Sequence, residues 1–178
     1  MRIIGGKNKN YRFQLSKKLQ ISPTTDFCKE NLFNILNNSY DFSKIHALDL
    51  FAGSGNISYE FLSRGSMVTS IEKNPKCIQF IKNNIEKLNT ENSIIYQIDV
   101  FKYLQKTSSK FDLIFADPPF NFDIYIYISI IELIFKNNIL KNNAMLIIEQ
   151  NKFLNLEESI YFNQKRRYGD VNFSFFKS

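Results

Sequence analysis

Ile45-His46-Ala47-Leu48-Asp49-Leu50-Phe51-Ala52-Gly53-Ser54-Gly55 opens on an almost unbroken apolar run and ends on two closely spaced glycines. The run reads as a strand buried on both faces, and residues 51–55 as the turn that leaves it. Residues 56–64 then carry a helical pattern. Working outward, Met67–Glu72 reads as a second strand. Asn74-Pro75 caps a helix that runs to Leu88 with Ile78, Ile81, Ile85 and Leu88 as its apolar face. Ile94–Asp99 is a third strand, with a short helix at 101–106 after it. Phe111–Asp117 is a fourth, a helix covers 123–136, and Ala144–Glu149 is a fifth. The tail, 159–177, reads as two strands joined through Arg166-Arg167-Tyr168-Gly169-Asp170. Before the sheet, Thr25-Asp26 starts a helix over 26–37 with Phe27, Leu32, Phe33 and Leu36 as its apolar set.

This alternation requires right-handed βαβ crossovers. The expected fold is α/β: a seven-stranded, mostly parallel sheet with an antiparallel last strand and helices on both faces. At 178 residues one catalytic-sized domain is the default.

Composition narrows the function. With two cysteines and one histidine, a disulfide framework and a four-ligand Cys/His zinc site are excluded, and any Ser-His-Asp triad would need His46. The start lacks a signal-peptide core, and the apolar stretch Ile124–Phe135 is too short to span a bilayer and contains Glu132. A cytoplasmic setting, with no membrane and no metal, is expected. The net charge of +6 is concentrated in residues 1–25, where Arg2, Lys7, Lys9, Arg12, Lys17 and Lys18 face no acid; the remainder is neutral. A basic arm over 1–25, with Tyr11 and Phe13 interleaved, is a candidate nucleic-acid contact ahead of a domain over 26–178. The plainer reading is a solubilising tail.

In an open α/β sheet, ligands bind beyond the carboxyl ends of the strands. Those ends read Asp49 to Gly55, Glu72, Asp99 and Asp117-Pro118-Pro119-Phe120, each with a carboxylate. Gly53 and Gly55 permit a tight turn and a close ligand approach. Ser58 stands where a dinucleotide fingerprint has its third glycine. Glu72 is placed to accept from ribose hydroxyls, or is a solvated charge beside Lys73. Asp99 ends the third strand beside these acids, or merely caps the following helix. The two prolines stiffen the backbone after Asp117. A carboxylate and a carbonyl held side by side can accept both hydrogens of a planar –NH2 group while Phe120 stacks on its ring.

Together, Asp49–Gly55, Glu72, Asp99 and Asp117–Phe120 resemble the motif series of class I S-adenosylmethionine-dependent methyltransferases acting on exocyclic amines. Met1–Lys7, Pro23–Asp26, Asn31–Leu36, Leu62–Gly65 and Lys165–Asp170 are further similar to the bacterial small-subunit ribosomal RNA guanine-N2 methyltransferases. Ser22 departs from the Arg usual there. The resemblance implies a Rossmann-like class I fold and methyl transfer from S-adenosylmethionine, with S-adenosylhomocysteine as product, to guanine N2 in ribosomal RNA or an assembling small subunit, by a monomer. It implies catalysis by Asp117, Pro118, Pro119 and Phe120. It implies cofactor contacts from Asp49, Phe51, Ala52, Gly53, Ser54, Gly55, Glu72, Lys73, Asp99, Val100, Phe101 and Asp117. RNA contacts are expected from Arg2, Lys7, Lys9, Arg12, Thr24, Arg64 and Arg166; Arg167 is a further candidate, or simply pairs with Asp170. The competing readings are an N6-adenine methyltransferase on RNA or DNA, a nicotinamide-dependent oxidoreductase, and a binding-only RNA module.

Overall fold

The structure is a computed structural model that describes residues 1–15, Leu19 and 24–177. Lys17, Lys18, Ser22 and Pro23 therefore lie outside the described residues. Five helices, α1 (Asp26–Asn37), α2 (Asn56–Ser63), α3 (Pro75–Leu88), α4 (Val100–Lys106) and α5 (Ile124–Lys136), accompany seven strands. The strands are β1 (His46–Leu50), β2 (Met67–Glu72), β3 (Ser93–Gln97), β4 (Phe111–Ala116), β5 (Leu140–Asn151), β6 (Phe162–Tyr168) and β7 (Val171–Phe176). They form one sheet in the order β3-β2-β1-β4-β5-β7-β6, parallel except where β7 pairs with β5 and β6. No helix of the described residues is long and apolar enough to cross a membrane.

Because side chains alternate along a strand, the sheet has two cores. Ala47, Leu113, Phe115, Met145, Ile147, Phe173 and Phe175 face α1, α2 and α3. Leu48, Leu50, Ile114, Ala116, Leu146, Ile148 and Phe176 face α4 and α5. The expected caps form: the Thr25 side chain accepts from the Cys28 N–H and Asn74 from the Lys76 N–H, with Pro75 in the first turn.

The elements differ from the sequence expectation in three places. β5 runs four residues further upstream, because polar Lys141-Asn142-Asn143 is exposed strand rather than loop. β3 stops at Gln97 and is not buried on both faces; as an edge strand it leaves Ile94 and Tyr96 partly exposed. Phe27 is not in the apolar set of α1, for its ring is 63% exposed while Cys28 and Lys29 turn inward instead.

Residues 1–13 of the basic N-terminal segment are packed rather than free. Main-chain bonds between Ile3 and Tyr11 and between Met1 and Phe13 fold them into a hairpin. Ile3 and Phe13 are buried, and Phe13 stacks on Tyr59 at 4.3 Å, so it cannot be offered to RNA as expected. A buried ionic cluster fastens this hairpin to α1 and α2. Lys29, fully buried, donates to Glu60 (2.9 Å), to the Asn56 side chain (3.0 Å) and to the Arg2 carbonyl. Glu60 also accepts from the Ile4 N–H (2.9 Å) and from Arg64 (2.6 Å). Arg64 lies over the Phe33 ring at 4.1 Å, so its guanidinium is committed within the fold and is not the RNA contact expected of it. Asp170 pairs with Lys152, not Arg167, whose Nε donates to the Gly169 carbonyl.

Candidate active site

The strand order reverses between β1 and β4, and a cavity of about 700 Å³ opens at their carboxyl ends. This is the switch point where open α/β sheets bind ligands, and the volume suits a nucleoside-sized molecule. Asp49, Phe51, Ala52, Gly53, Ser54, Glu72, Lys73, Asp99, Val100, Phe101 and Asp117–Phe120 all line it. So does Thr24, expected at the RNA.

Gly55 does not line the cavity. A Cβ there would come within 2.8 Å of the Tyr59 ring and 3.1 Å of Ile81, so this glycine, at φ 80°, serves close packing beneath the turn. Gly53 lies in the wall at φ 54° with room around it. Between strand and glycines, Phe51 also takes a positive φ, 63°. For a bulky side chain this is strained backbone, of the kind that persists at functional sites.

The acids divide by environment. Glu72 accepts from the Gly53 N–H (2.8 Å) and the Asn74 N–H (2.7 Å), tying the glycine turn to the end of β2. The turn's N–H is thus occupied by a carboxylate of the chain itself. Asp99 caps α4, its Oδ1 accepting from the N–H groups of Phe101 (3.0 Å) and Lys102 (3.3 Å). The capping reading therefore holds, and Asp99 lines the cavity as well.

Asp49 is buried and accepts from Ser58, whose hydroxyl also meets Ser70 at 2.8 Å. Ser58, the position that departs from the dinucleotide fingerprint, thus orients the first acid. Asp49 pairs in register with Phe115, and Phe115 with Ile147. Two residues further, Asp117 and Glu149 occupy the same face. Sequence reasoning missed Glu149, although it ends the fifth strand expected from the sequence, as Glu72 ends the second. It is buried, lines the cavity and accepts from the Thr24 hydroxyl at 2.7 Å. Thr24 is held in turn by Asn56, which donates to its carbonyl at 2.8 Å.

Burial pushes the Asp49 carboxyl up to about 7 and Glu149 up to about 7. Asp117 is raised well above the carboxylate range, first by burial and then by the charges of Glu149 and Asp49. Unfolded, such groups ionise near pH 4. Between those values the folded chain retains protons the unfolded chain has released, so stability falls as pH rises from about 4 to about 7. Asp49→Asn removes one buried charge. It is expected to raise stability by about 1–2 kcal/mol at pH 8, roughly 3–6 °C in Tm, and by less at pH 5. Thermal unfolding at the two pH values checks this; an equal change at both would contradict it.

Asp117-Pro118-Pro119-Phe120 forms one side of the cavity. The Asp117 N–H donates to the Leu50 carbonyl at 3.4 Å, and the Pro119 carbonyl accepts from Phe122 at 2.9 Å. The Tyr127 hydroxyl approaches the Pro118 carbonyl only at 3.5 Å, which leaves that oxygen weakly partnered. Phe120 is 46% exposed, its ring free to meet a ligand. Ile71, Ile98, Val100 and Phe101 supply an apolar wall on the side of Glu72 and Asp99. Among the described residues, the lining holds five carboxylates and one cationic side chain, Lys73. Of the expected RNA contacts, Arg2, Lys7, Lys9, Arg12 and Arg166 are exposed and lie outside the cavity lining.

The family model described as Conserved hypothetical protein 95 matches residues 1–177. The chain is 38% identical to ribosomal RNA small subunit methyltransferase D of Buchnera aphidicola subsp. Baizongia pistaciae, over 87% of this chain and 78% of that one. Its identity to the protein of the same name from Haemophilus influenzae is 32%, over 85% and 79% of the two chains. The solved structure of yhhF from Escherichia coli superposes with a TM-score of 0.84 at 26% identity, covering 99% of this chain and 96% of that one. Fold, cavity and full-length similarity agree: the chain belongs to the Conserved hypothetical protein 95 family, the family of ribosomal RNA small subunit methyltransferase D.

Proposed function

We propose that the chain methylates the exocyclic N2 amine of a guanine in small-subunit ribosomal RNA, the donor being S-adenosylmethionine bound in the cavity. Methylation of ribosomal RNA with that donor is the activity that family membership gives. The rigid Asp117-Pro118 pair carries the choice of an exocyclic amine as the target, and guanine follows from the resemblance of the flanking segments Met1–Lys7 and Lys165–Asp170. The pair offers a carboxylate and a weakly partnered carbonyl to one planar amine.

The lining fits the donor chemically. S-adenosylmethionine carries a sulfonium and an ammonium charge, and five acids face the cavity. The dinucleotide pyrophosphate of an oxidoreductase would meet the same acids as like charges, and Glu72 already holds the turn N–H such an anion needs. Gly53 and Asp49 would hold the methionine end, Glu72 the ribose, and Asp99 with Val100 and Phe101 the adenine. When bound, the donor supplies an electrophilic methyl group.

The rest is the work of this chain's residues. The guanine amine is a weak nucleophile because its lone pair is delocalised into the ring. Asp117 and the Pro118 carbonyl accept its two hydrogens and hold the lone pair in one direction, while Phe120 stacks on the base. Correct placement of reactants contributes up to roughly 7–11 kcal/mol. The positive charge of a bound donor favours the ionised form of Asp117. Asp117, with Glu149 beside it, then takes the proton that the methylated amine sheds. The target base leaves its stack to reach the cavity, at a cost of a few kcal/mol. Exposed Arg2, Lys7, Lys9, Arg12 and Arg166 hold the phosphates, and binding therefore weakens with salt.

The second reading is an adenine N6 methyltransferase, which the same acceptor pair also serves. Labelled methyl transfer to small subunits, naked ribosomal RNA and DNA separates the two when the products are digested to nucleosides. N2-methylguanosine from RNA is the expected product. Label confined to DNA would overturn the assignment.

A further inference from the structure

Resting on the RNA-methyltransferase reading, we propose that Phe27 and Tyr168 form a stacking platform at the cavity rim for an unpaired RNA base flanking the target nucleotide. Phe27 sits in the first turn of α1, where an apolar ring facing solvent serves no packing need, and is 63% exposed. Tyr168 meets it edge to face, the ring centroids 6.1 Å apart at 81°. Tyr168 itself is braced from below by Phe173 at 5.9 Å, and its carbonyl accepts from the Cys28 thiol. The Phe27 ring is therefore set against a fixed neighbour while its outward face stays open.

Position ties the pair to the active site. Thr25, two residues before Phe27, and Val171, three after Tyr168, both line the cavity. A strand that enters the cavity over this rim brings the base beside its target against the Phe27 ring. The surrounding charge suits a phosphate backbone. The Arg2 side chain pairs with Asp26, next to Phe27, at 2.8 Å, and the main chain of Arg2 pairs with that of Arg12, whose exposed side chain is left to meet a phosphate. On the other side, Arg166 and Arg167 are exposed on β6 directly before Tyr168. An exposed aromatic ring between cationic side chains is the arrangement on which single-stranded bases stack, irrespective of sequence. A protein partner would need a broader apolar surface than one ring among arginines offers.

The test is steady-state methyl transfer to the RNA substrate by the full chain. Phe27→Ala and Phe27→Leu are expected to raise the KM for RNA about tenfold, Phe27→Tyr to leave it near wild type, and S-adenosylmethionine affinity to stay unchanged in all three. The Leu variant keeps the apolar bulk and lacks the π-face, so wild-type behaviour of Phe27→Leu would overturn the platform. An unchanged KM in Phe27→Ala would do the same. If the wild-type chain transfers no methyl group to any RNA, the proposed function itself fails, which is a different result from a substrate-active enzyme indifferent to Phe27.

Discussion

Asp117→Ala is expected to cut methyl transfer by at least about 10²–10³-fold, the usual cost of removing one preorganised hydrogen-bonding partner of a reacting group. The loss should fall on kcat, because the carboxylate is assigned to the amine and not to the donor. S-adenosylmethionine affinity should change little, since Asp49, Glu72 and Asp99 remain in the lining. Asp117→Ala removes a buried ionisable group whose charged form is opposed by burial and by Glu149 and Asp49, so the variant should fold at least as well as wild type. Retained activity would mean that the amine is held elsewhere. A lost donor affinity with normal kcat at saturation would move Asp117 to the cofactor side.

The largest effect on stability is expected from Lys29→Ala. Removing one partner of a buried ionic cluster costs about 3–5 kcal/mol, because the opposite charge is left buried without its counterion. Here Glu60 keeps Arg64 and the Ile4 N–H, which places the loss towards the lower end. The Arg2 carbonyl and Asn56 lose a donor at the same time, so the N-terminal hairpin and the Asn56–Thr24–Glu149 chain of hydrogen bonds loosen together. Urea unfolding should show a lower midpoint with an unchanged slope. Adding Glu60→Gln to Lys29→Ala should restore part of the loss by removing the stranded charge. A single-variant loss below about 1 kcal/mol would show that the cluster is not what fastens the hairpin.

Most of the fold was legible because strands buried on both faces and helices with one apolar stripe write two different periods into the chain. The glycine turn, the proline-stiffened acid and the helix caps at Thr25 and Asn74 were legible for the same reason: each is a local feature set by neighbouring residues. What the sequence hid depends on contacts between distant segments. Phe27 satisfies the apolar spacing of α1, yet Lys29 occupies the inward position, because Glu60 and Asn56 from α2 and the Arg2 carbonyl make a buried ammonium tolerable. Arg64 reads as a free cation until Glu60 and the Phe33 ring are seen around it. Charge in the N-terminal segment was visible, but the burial of Ile3 and Phe13 was not, since their partners lie in α1 and α2. Glu149 did carry a signal: it closes the apolar run 144–148, as Glu72 closes the second expected strand. Its pairing with Thr24, 125 residues away in sequence, is tertiary.

The central claim is that a guanine amine, held by Asp117 and the Pro118 carbonyl, receives the methyl group. Mass mapping of modified nucleosides in small-subunit ribosomal RNA, from cells with and without this protein, tests it most directly. The expected result is one N2-methylguanosine that is lost with the protein and restored by the wild-type chain but not by Asp117→Ala. An unchanged guanosine profile, with an N6-methyladenosine that depends on the protein, would contradict the claim.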